Sequence, residues 1–233
     1  MNNNGIKAIF MDVGGPIVDD SAIDPFWNNY LLENLPGIIG RQVTMEEIEA
    51  ANQQSVACYS PSTYSYTIWH FVKPDIEAFK KLRKHLVQRV FIPFYEFRPE
   101  LLDICRELSQ KYILAIAANQ HNATYNYLEE MGLLQYFTFK EMSESIGYSK
   151  PDLRFFMYIA DKINIPLQNC LMVGDRQDND IVPAKKLKMR AIRFRTGLHR
   201  DQQVRLPQEM ADAEIFDMKD LPASINDLQN SIK

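Results

Sequence analysis

Residues 6–16 read Ile6-Lys7-Ala8-Ile9-Phe10-Met11-Asp12-Val13-Gly14-Gly15-Pro16. An apolar run, broken only by Lys7, stops abruptly at an acid and two glycines. Its length suits a strand, and the glycines mark a tight loop, so the reading is a buried strand with Asp12 at its carboxyl end.

The same signal recurs downstream. Tyr112–Ala117 (YILAIA), Cys170–Val173 (CLMV, ending at Gly174-Asp175), Arg190–Phe194 and Glu214–Phe216 read as strands, and Phe137–Phe139 as a short one. Helices fall between them. Pro99-Glu100 opens one whose apolar face is Leu101, Ile104, Cys105 and Leu108. Others span roughly Ala123–Met131, with Gly132 as the stop, then Pro151–Asp161 and Ile181–Leu187. Strands alternating with such helices imply a parallel sheet covered on both faces.

Residues 18–92 break the rhythm, with helical patterns and no convincing strand. Thr44-Met45-Glu46-Glu47 is a capping box, and Asp75–Val90 is a long amphipathic helix. The expected organisation is therefore an α/β core from residues 1–17 and 93–233, interrupted by an all-helical domain over 18–92.

Composition narrows the function. The 233 residues, 46% hydrophobic and 24% charged, describe an ordinary globular chain. A net charge of −4 gives no footprint for nucleic acid. The basic run Lys80-Lys81-Leu82-Arg83-Lys84-His85 spreads around a helix and reads as a solvated face. Cys58, Cys105 and Cys170 show no metal-type spacing, which suits a reducing cytosol. No apolar run approaches a membrane span, and the first residues show no signal-peptide pattern, so a cytoplasmic chain is expected.

In open α/β sheets, ligands bind outside the carboxyl ends of the strands. Asp12, Ala118-Asn119, Lys150 and Asp175, with Asp178 and Asp180 close behind, all fall there. Clustered carboxylates attract a hard cation such as Mg²⁺. A lysine among them suits an arriving anion, so the set reads as a site for a phosphate bridged to a metal. Each residue also has a plainer role available. Asp12 and Asp175 would serve as turn residues, Lys150-Pro151 as a helix start, and Asp178 as a favourable acid at a helix N-terminus. His121 reads as a surface histidine, and His199 and Arg200 as exposed.

The ordered series Asp12, Asn119, Lys150-Pro151, Gly174-Asp175-Arg176-Gln177-Asp178-Asn179-Asp180 resembles the motifs of the haloacid dehalogenase (HAD) superfamily. It is most similar to the branch with a helical cap inserted after the first motif. Phe97-Arg98-Pro99-Glu100-Leu101-Leu102 and Met131-Gly132-Leu133-Leu134-Gln135-Tyr136-Phe137 resemble further stretches of that family, so the likeness covers nearly the whole chain. The resemblance implies a Rossmann-like three-layer core. It implies Asp12 as the nucleophile that takes the phosphoryl group, and Lys150 and Asn119 as phosphate-binding groups. Asp12, the Gly14 carbonyl and Asp175 would hold Mg²⁺, with Asp180 supporting them. The expected substrate is a small phosphorylated metabolite, with no nucleic acid or membrane partner, and the expected state is a monomer or weak homodimer.

The departures matter as much. Phosphatases of the family carry a second Asp where this chain has Gly14, and a Ser or Thr where it has Ala118. Pro16 replaces a common Thr. The first loss removes acid–base help worth about 10²–10⁴ in rate. The second removes a hydrogen bond worth about 1.5–3 kcal/mol to a charged group. Two functions therefore compete: a slow Mg²⁺-dependent phosphatase, and an impaired relative that binds a ligand or partner. Haloacid dehalogenases work without Mg²⁺, which the acidic 174–180 segment disfavours. Phosphonatases use a cap lysine, and no Lys lies between Lys7 and Lys73. From Val18 to Val72 seven acids face one base, Arg41, an acidic mouth that disfavours polyanions.

Overall fold

The computed structural model describes residues 5–87 and 91–231. The chain divides into two compact units, Met1–Asp19 with Glu96–Lys233, and Asp20–Tyr95.

The strands in chain order are β1 (Ala8–Met11), β2 (Val18–Asp19), β3 (Glu96–Phe97), β4 (Ile113–Ile116), β5 (Cys170–Gly174), β6 (Arg190–Phe194) and β7 (Ala213–Ile215). Five form one sheet in the order β4-β1-β5-β6-β7, and every pairing in it is parallel. Each apolar run that reads as a strand in the sequence is there, with one exception. Phe137–Phe139 reaches the sheet only through an isolated bridge from Phe139 to Ala115. The chain spends Phe137 closing a 3₁₀ turn at Leu134–Tyr136, which leaves too little extended backbone for a ladder. The last strand also ends one residue early, leaving Phe216 63% exposed.

Alternation along the strands splits the core. Ala8 and Phe10 of β1, Ala115 of β4, and Cys170 and Met172 of β5 join one cluster with Phe155, Phe156 and Ile159 of the helix Leu153–Lys162. Ile9, Met11, Leu114, Ile116, Leu171 and Val173 point to the opposite face and are equally buried. A sheet apolar on both faces is what runs such as CLMV require. Helix starts follow local chemistry: Asp152 accepts the Arg154 N–H to cap Leu153–Lys162. Gly132, beyond the helix Ala123–Glu130, sits at φ +72°, in the left-handed region that glycine tolerates.

β2 and β3 pair antiparallel, Val18 with Phe97 and Asp19 with Glu96. They are the two strands through which the chain leaves and re-enters the α/β unit. They place Val18–Asp19 with that unit, two residues past the boundary expected from the sequence.

The second unit, over its described residues, contains helices and no strand: Ile23–Asn34, Pro36–Ile39, Met45–Ala57, Thr63–Val72 and Ile76–Val87. The capping box forms in full, with Thr44 and Glu47 exchanging side-chain and backbone bonds. Asp75 caps the last helix through the Ala78 N–H, and the final three residues expected for that helix, 88–90, lie outside the described residues. Trp27, Leu31, Leu35, Ile48, Ile68 and Leu82 form its apolar centre. A polar seam crosses it: Thr67 donates to Asn52 at 2.6 Å, and Asn52 donates to Asn28 at 2.9 Å. No helix among the described residues is long and apolar enough to cross a membrane.

Phe10 has no exposed surface, whereas Met157 is 51% exposed on the same α/β unit. Phe10→Ala is expected to lower the free energy of unfolding by about 3–5 kcal/mol, and Met157→Ala to change it by less than about 0.5 kcal/mol. Urea unfolding followed by circular dichroism measures both, and equal losses would contradict this placement of the core.

Candidate active site

β1 lies inside the sheet, with β4 on one side and β5 on the other. The chain builds outward to β4 and then returns to place β5 across β1, so the strand order reverses there. That reversal opens a crevice at the carboxyl ends. Asp12 follows β1 directly, and its N–H donates to the Val173 carbonyl of β5 at 2.9 Å. Asp175 follows β5 directly, and Ala118-Asn119 lie just beyond β4.

Lys150 occupies the centre of this crevice. Its side chain is 1% exposed, and Nζ sits 2.9 Å from Asp12 Oδ1 and 2.6 Å from Asp180 Oδ1. Asn119 fixes the lysine from behind: its amide donates to the Lys150 carbonyl and accepts the Lys150 N–H, each at 2.8 Å. Asn119 therefore meets the site through Lys150. Burial works against the ammonium, but the Asp12 and Asp180 carboxylates outweigh it and hold the Lys150 pKa above that of an ordinary lysine. Burial pushes Asp180 up to about 6; Lys150 pulls against this and the Asp12 charge adds to it.

Asp12, Asp175 and Asp180 each bring a carboxylate oxygen within 4.8 Å of the other two. Three carboxylates against one ammonium leave an excess of two negative charges when all are ionised. A hard divalent cation with oxygen ligands fits both that charge and that donor set. Asp178, also considered from the sequence, is elsewhere. Arg176 holds it in a two-point pair, Nε to Oδ1 at 3.1 Å and Nη2 to Oδ2 at 2.6 Å. Asp178 also lies in the first turn of the helix Gln177–Ile181, the helix-start position read from the sequence.

Two glycines let the loops approach. A Cβ at Gly174 would overlap the Asp180 carboxyl, and one at Gly15 would come within 3.0 Å of Asp175 Cβ and Cγ. Gly15 is also the residue of the first loop at positive φ, +81°; Gly14 is not among those. Arg98 secures this loop, Nε donating to the Gly15 carbonyl at 3.1 Å and Nη2 meeting Asp19 at 3.2 Å.

Three residues escape a local reading. Arg193 is 1% exposed although it lies in a strand; the one signal was a charge inside the apolar run Ala191–Phe194. Gln202 is buried beside it, with nothing in its neighbourhood to mark it. His199 is buried, not exposed as expected, because the segment after β6 folds back over Arg193. His121 is exposed and lies 3.4 Å from Glu144.

The architecture is matched by known proteins. Residues 6–188 fit the model of the haloacid dehalogenase-like hydrolase family, and the chain belongs to that family. A glyceraldehyde 3-phosphate phosphatase of Methanopyrus kandleri is 27% identical over 231 residues, covering 96% of this chain and 98% of the relative. Among solved structures, a HAD phosphatase from Thermococcus onnurineus superposes with a TM-score of 0.62 at 21% identity, covering 94% of this chain and 98% of the other. A predicted phosphoglycolate phosphatase from Haemophilus somnus gives 0.68 at 18% identity, covering 96% and 99%. The enzyme class expected from the sequence, a phosphatase-like hydrolase of that superfamily, stands.

His199 supplies a test of the loop beside the site. Burial, helped by the Arg176 and Arg193 charges, pushes it down from 6.5 to about 3. A histidine held neutral contributes stability that is present above its unfolded pKa and lost as pH falls from about 6.5 towards 3. His199→Gln, neutral throughout, is expected to lose less stability than the wild type between pH 7 and pH 4.5. Denaturant unfolding at the two pH values measures this, and identical losses would place the acid sensitivity elsewhere.

Proposed function

We propose that this chain is a Mg²⁺-dependent phosphatase of small phosphorylated metabolites that works through an aspartyl-phosphate on Asp12. The observation carrying the proposal is the buried Lys150 ammonium held between Asp12 and Asp180, with Asp175 completing a cluster of three carboxylates.

Asp12 attacks phosphorus, an acyl-phosphate bond forms, and the bond from phosphorus to the leaving oxygen breaks. Lys150, with Asn119 behind it, sets a positive charge where phosphate oxygens gather. Asp12, the Gly14 carbonyl and Asp175 would hold the metal, with Asp180 supporting them. Mg²⁺ bound there offsets the repulsion between an anionic nucleophile and an anionic phosphate. Water then attacks phosphorus, releasing inorganic phosphate and restoring Asp12.

The leaving oxygen needs a proton and the attacking water must lose one. Gly14 does neither, and Ala118 offers the phosphate no hydroxyl. Hydrolysis of alkyl esters is therefore slow, whereas an aryl leaving group needs little protonation. The name of the archaeal relative makes glyceraldehyde 3-phosphate the first alkyl substrate to try.

Wild type with Mg²⁺ is expected to release phosphate from an aryl ester faster than from glyceraldehyde 3-phosphate, and Asp12→Asn to release none. Gly14→Asp should raise alkyl turnover toward the about 10²–10⁴ that acid–base catalysis supplies, with a smaller gain on aryl esters. Circular dichroism confirms that the variants fold. Wild-type alkyl turnover at about 1–10³ s⁻¹ would sink the proton-transfer argument. Absence of metal-dependent release from either ester would leave a ligand-binding role in its place.

A further inference from the structure

We propose that Arg193 and Gln202 are positioning residues that hold the Asp175–Asp180 segment in its cation-binding geometry. The inference rests on the Mg²⁺ reading given above and extends it to residues that lie outside the carboxylate cluster.

Arg193 sits on β6, the strand beside β5, with its guanidinium buried. Nη1 donates to the Gln202 carbonyl at 2.9 Å, and Nη2 donates to the His199 carbonyl at 2.7 Å and the Arg200 carbonyl at 3.3 Å. Nε points the other way, at 3.4 Å from the carbonyl of Asp175. One planar fork thus ties the segment after β6 to the backbone of a carboxylate in the cluster. A lysine ammonium, a compact point charge with three donors, cannot span that fan of acceptors.

Gln202 makes the second tie. Its Oε1 accepts the Gln177 N–H at 2.9 Å, and its Nε2 donates to Asp178 Oδ1 at 3.2 Å. The segment from β5 is therefore gripped at Asp175 and again at Gln177 and Asp178. Beyond the second grip comes Asp180, whose Oδ2 accepts the Arg176 N–H at 3.0 Å. A third contact removes slack: a Cβ on Gly15 would meet Thr196 Cγ2 at 3.2 Å as well as Asp175 at 3.0 Å, so the three loops abut.

Groups that orient metal ligands from outside the coordination shell influence affinity by about 10–100-fold. Here the Asp175 side chain is partly exposed, and its position depends on the backbone that Arg193 and Gln202 hold.

The test is Mg²⁺ titration by calorimetry into wild type, Arg193→Lys, Gln202→Leu and Asp175→Asn, alongside melting in EDTA and in excess Mg²⁺. Arg193→Lys and Gln202→Leu are expected to weaken Mg²⁺ binding by about 10-fold or more, and to shrink the Mg²⁺-induced rise in Tm relative to wild type. A merely structural role would lower the EDTA Tm and leave affinity alone. If Arg193→Lys fails to fold, Gln202→Leu decides, because it removes no buried charge. Gln202→Leu binding Mg²⁺ within about twofold of wild type, while Asp175→Asn has lost it, would overturn the proposal and spare the metal site. Asp175→Asn binding like wild type would overturn the metal reading, and this inference with it.

Discussion

Lys150 sets the terms for the α/β unit. Taking an ammonium out of water costs several kcal/mol, and only close, well-oriented carboxylates offset it. Asp12 and Asp180 do so at 2.9 and 2.6 Å, and Asn119 fixes the lysine backbone so that the geometry holds. Asp12 follows β1 and Asp180 lies in the helix after β5, and those two strands are hydrogen-bonded neighbours. The ion pair therefore forms only if the sheet order is right. Removing Lys150 leaves the Asp12 and Asp180 carboxylates uncompensated, at about 3–5 kcal/mol.

The same arrangement is electrostatically unfinished. One lysine cannot neutralise three carboxylates, and Asp180, pushed up to about 6 chiefly by burial, also feels the Asp12 charge. A divalent cation would offset that excess. Backbone design serves this crowding. Gly174 makes room for the Asp180 carboxyl, and Gly15 turns through a left-handed conformation beside Asp175. Arg98 holds the Gly15 carbonyl and reaches Asp19 on β2, so the loop after Asp12 is tied to the strand through which the chain leaves the α/β unit.

What was legible in the sequence was local. Apolar runs of strand length, such as those around Phe10 and Met172, are sufficient because both faces of the sheet are covered. Thr44 and Glu47 announce a helix start because the bonds involved span three residues. The convergence of Asp12, Lys150, Asp175 and Asp180 followed from the rule that strand ends meet. What was not legible depends on distant partners. Asp178 reads correctly as an acid at a helix start, but its partners Arg176 and Gln202 are not visible in the sequence. His199 reads as exposed until the chain after β6 folds over Arg193. Phe137–Phe139 has the composition of a strand and lacks the length of ladder that would make it one.

These distinctions bear on what the altered motifs mean. Asp12, Lys150 and Asp180 form a buried ion-pair network, so the fold needs them whether or not chemistry occurs, and their presence argues equally for stability and for function. Gly14 and Ala118 bring neither a carboxyl nor a hydroxyl, and the buried network does not depend on either. Asp175 separates the two cases. The ion pairs of Lys150 are with Asp12 and Asp180, and the Asp175 side chain is partly exposed. It brings a third carboxylate to the cluster, with an oxygen within 4.8 Å of those of Asp12 and Asp180. Its place beside Asp12, with the backbone held from β6 by a buried guanidinium, makes physical sense when a cation completes the site.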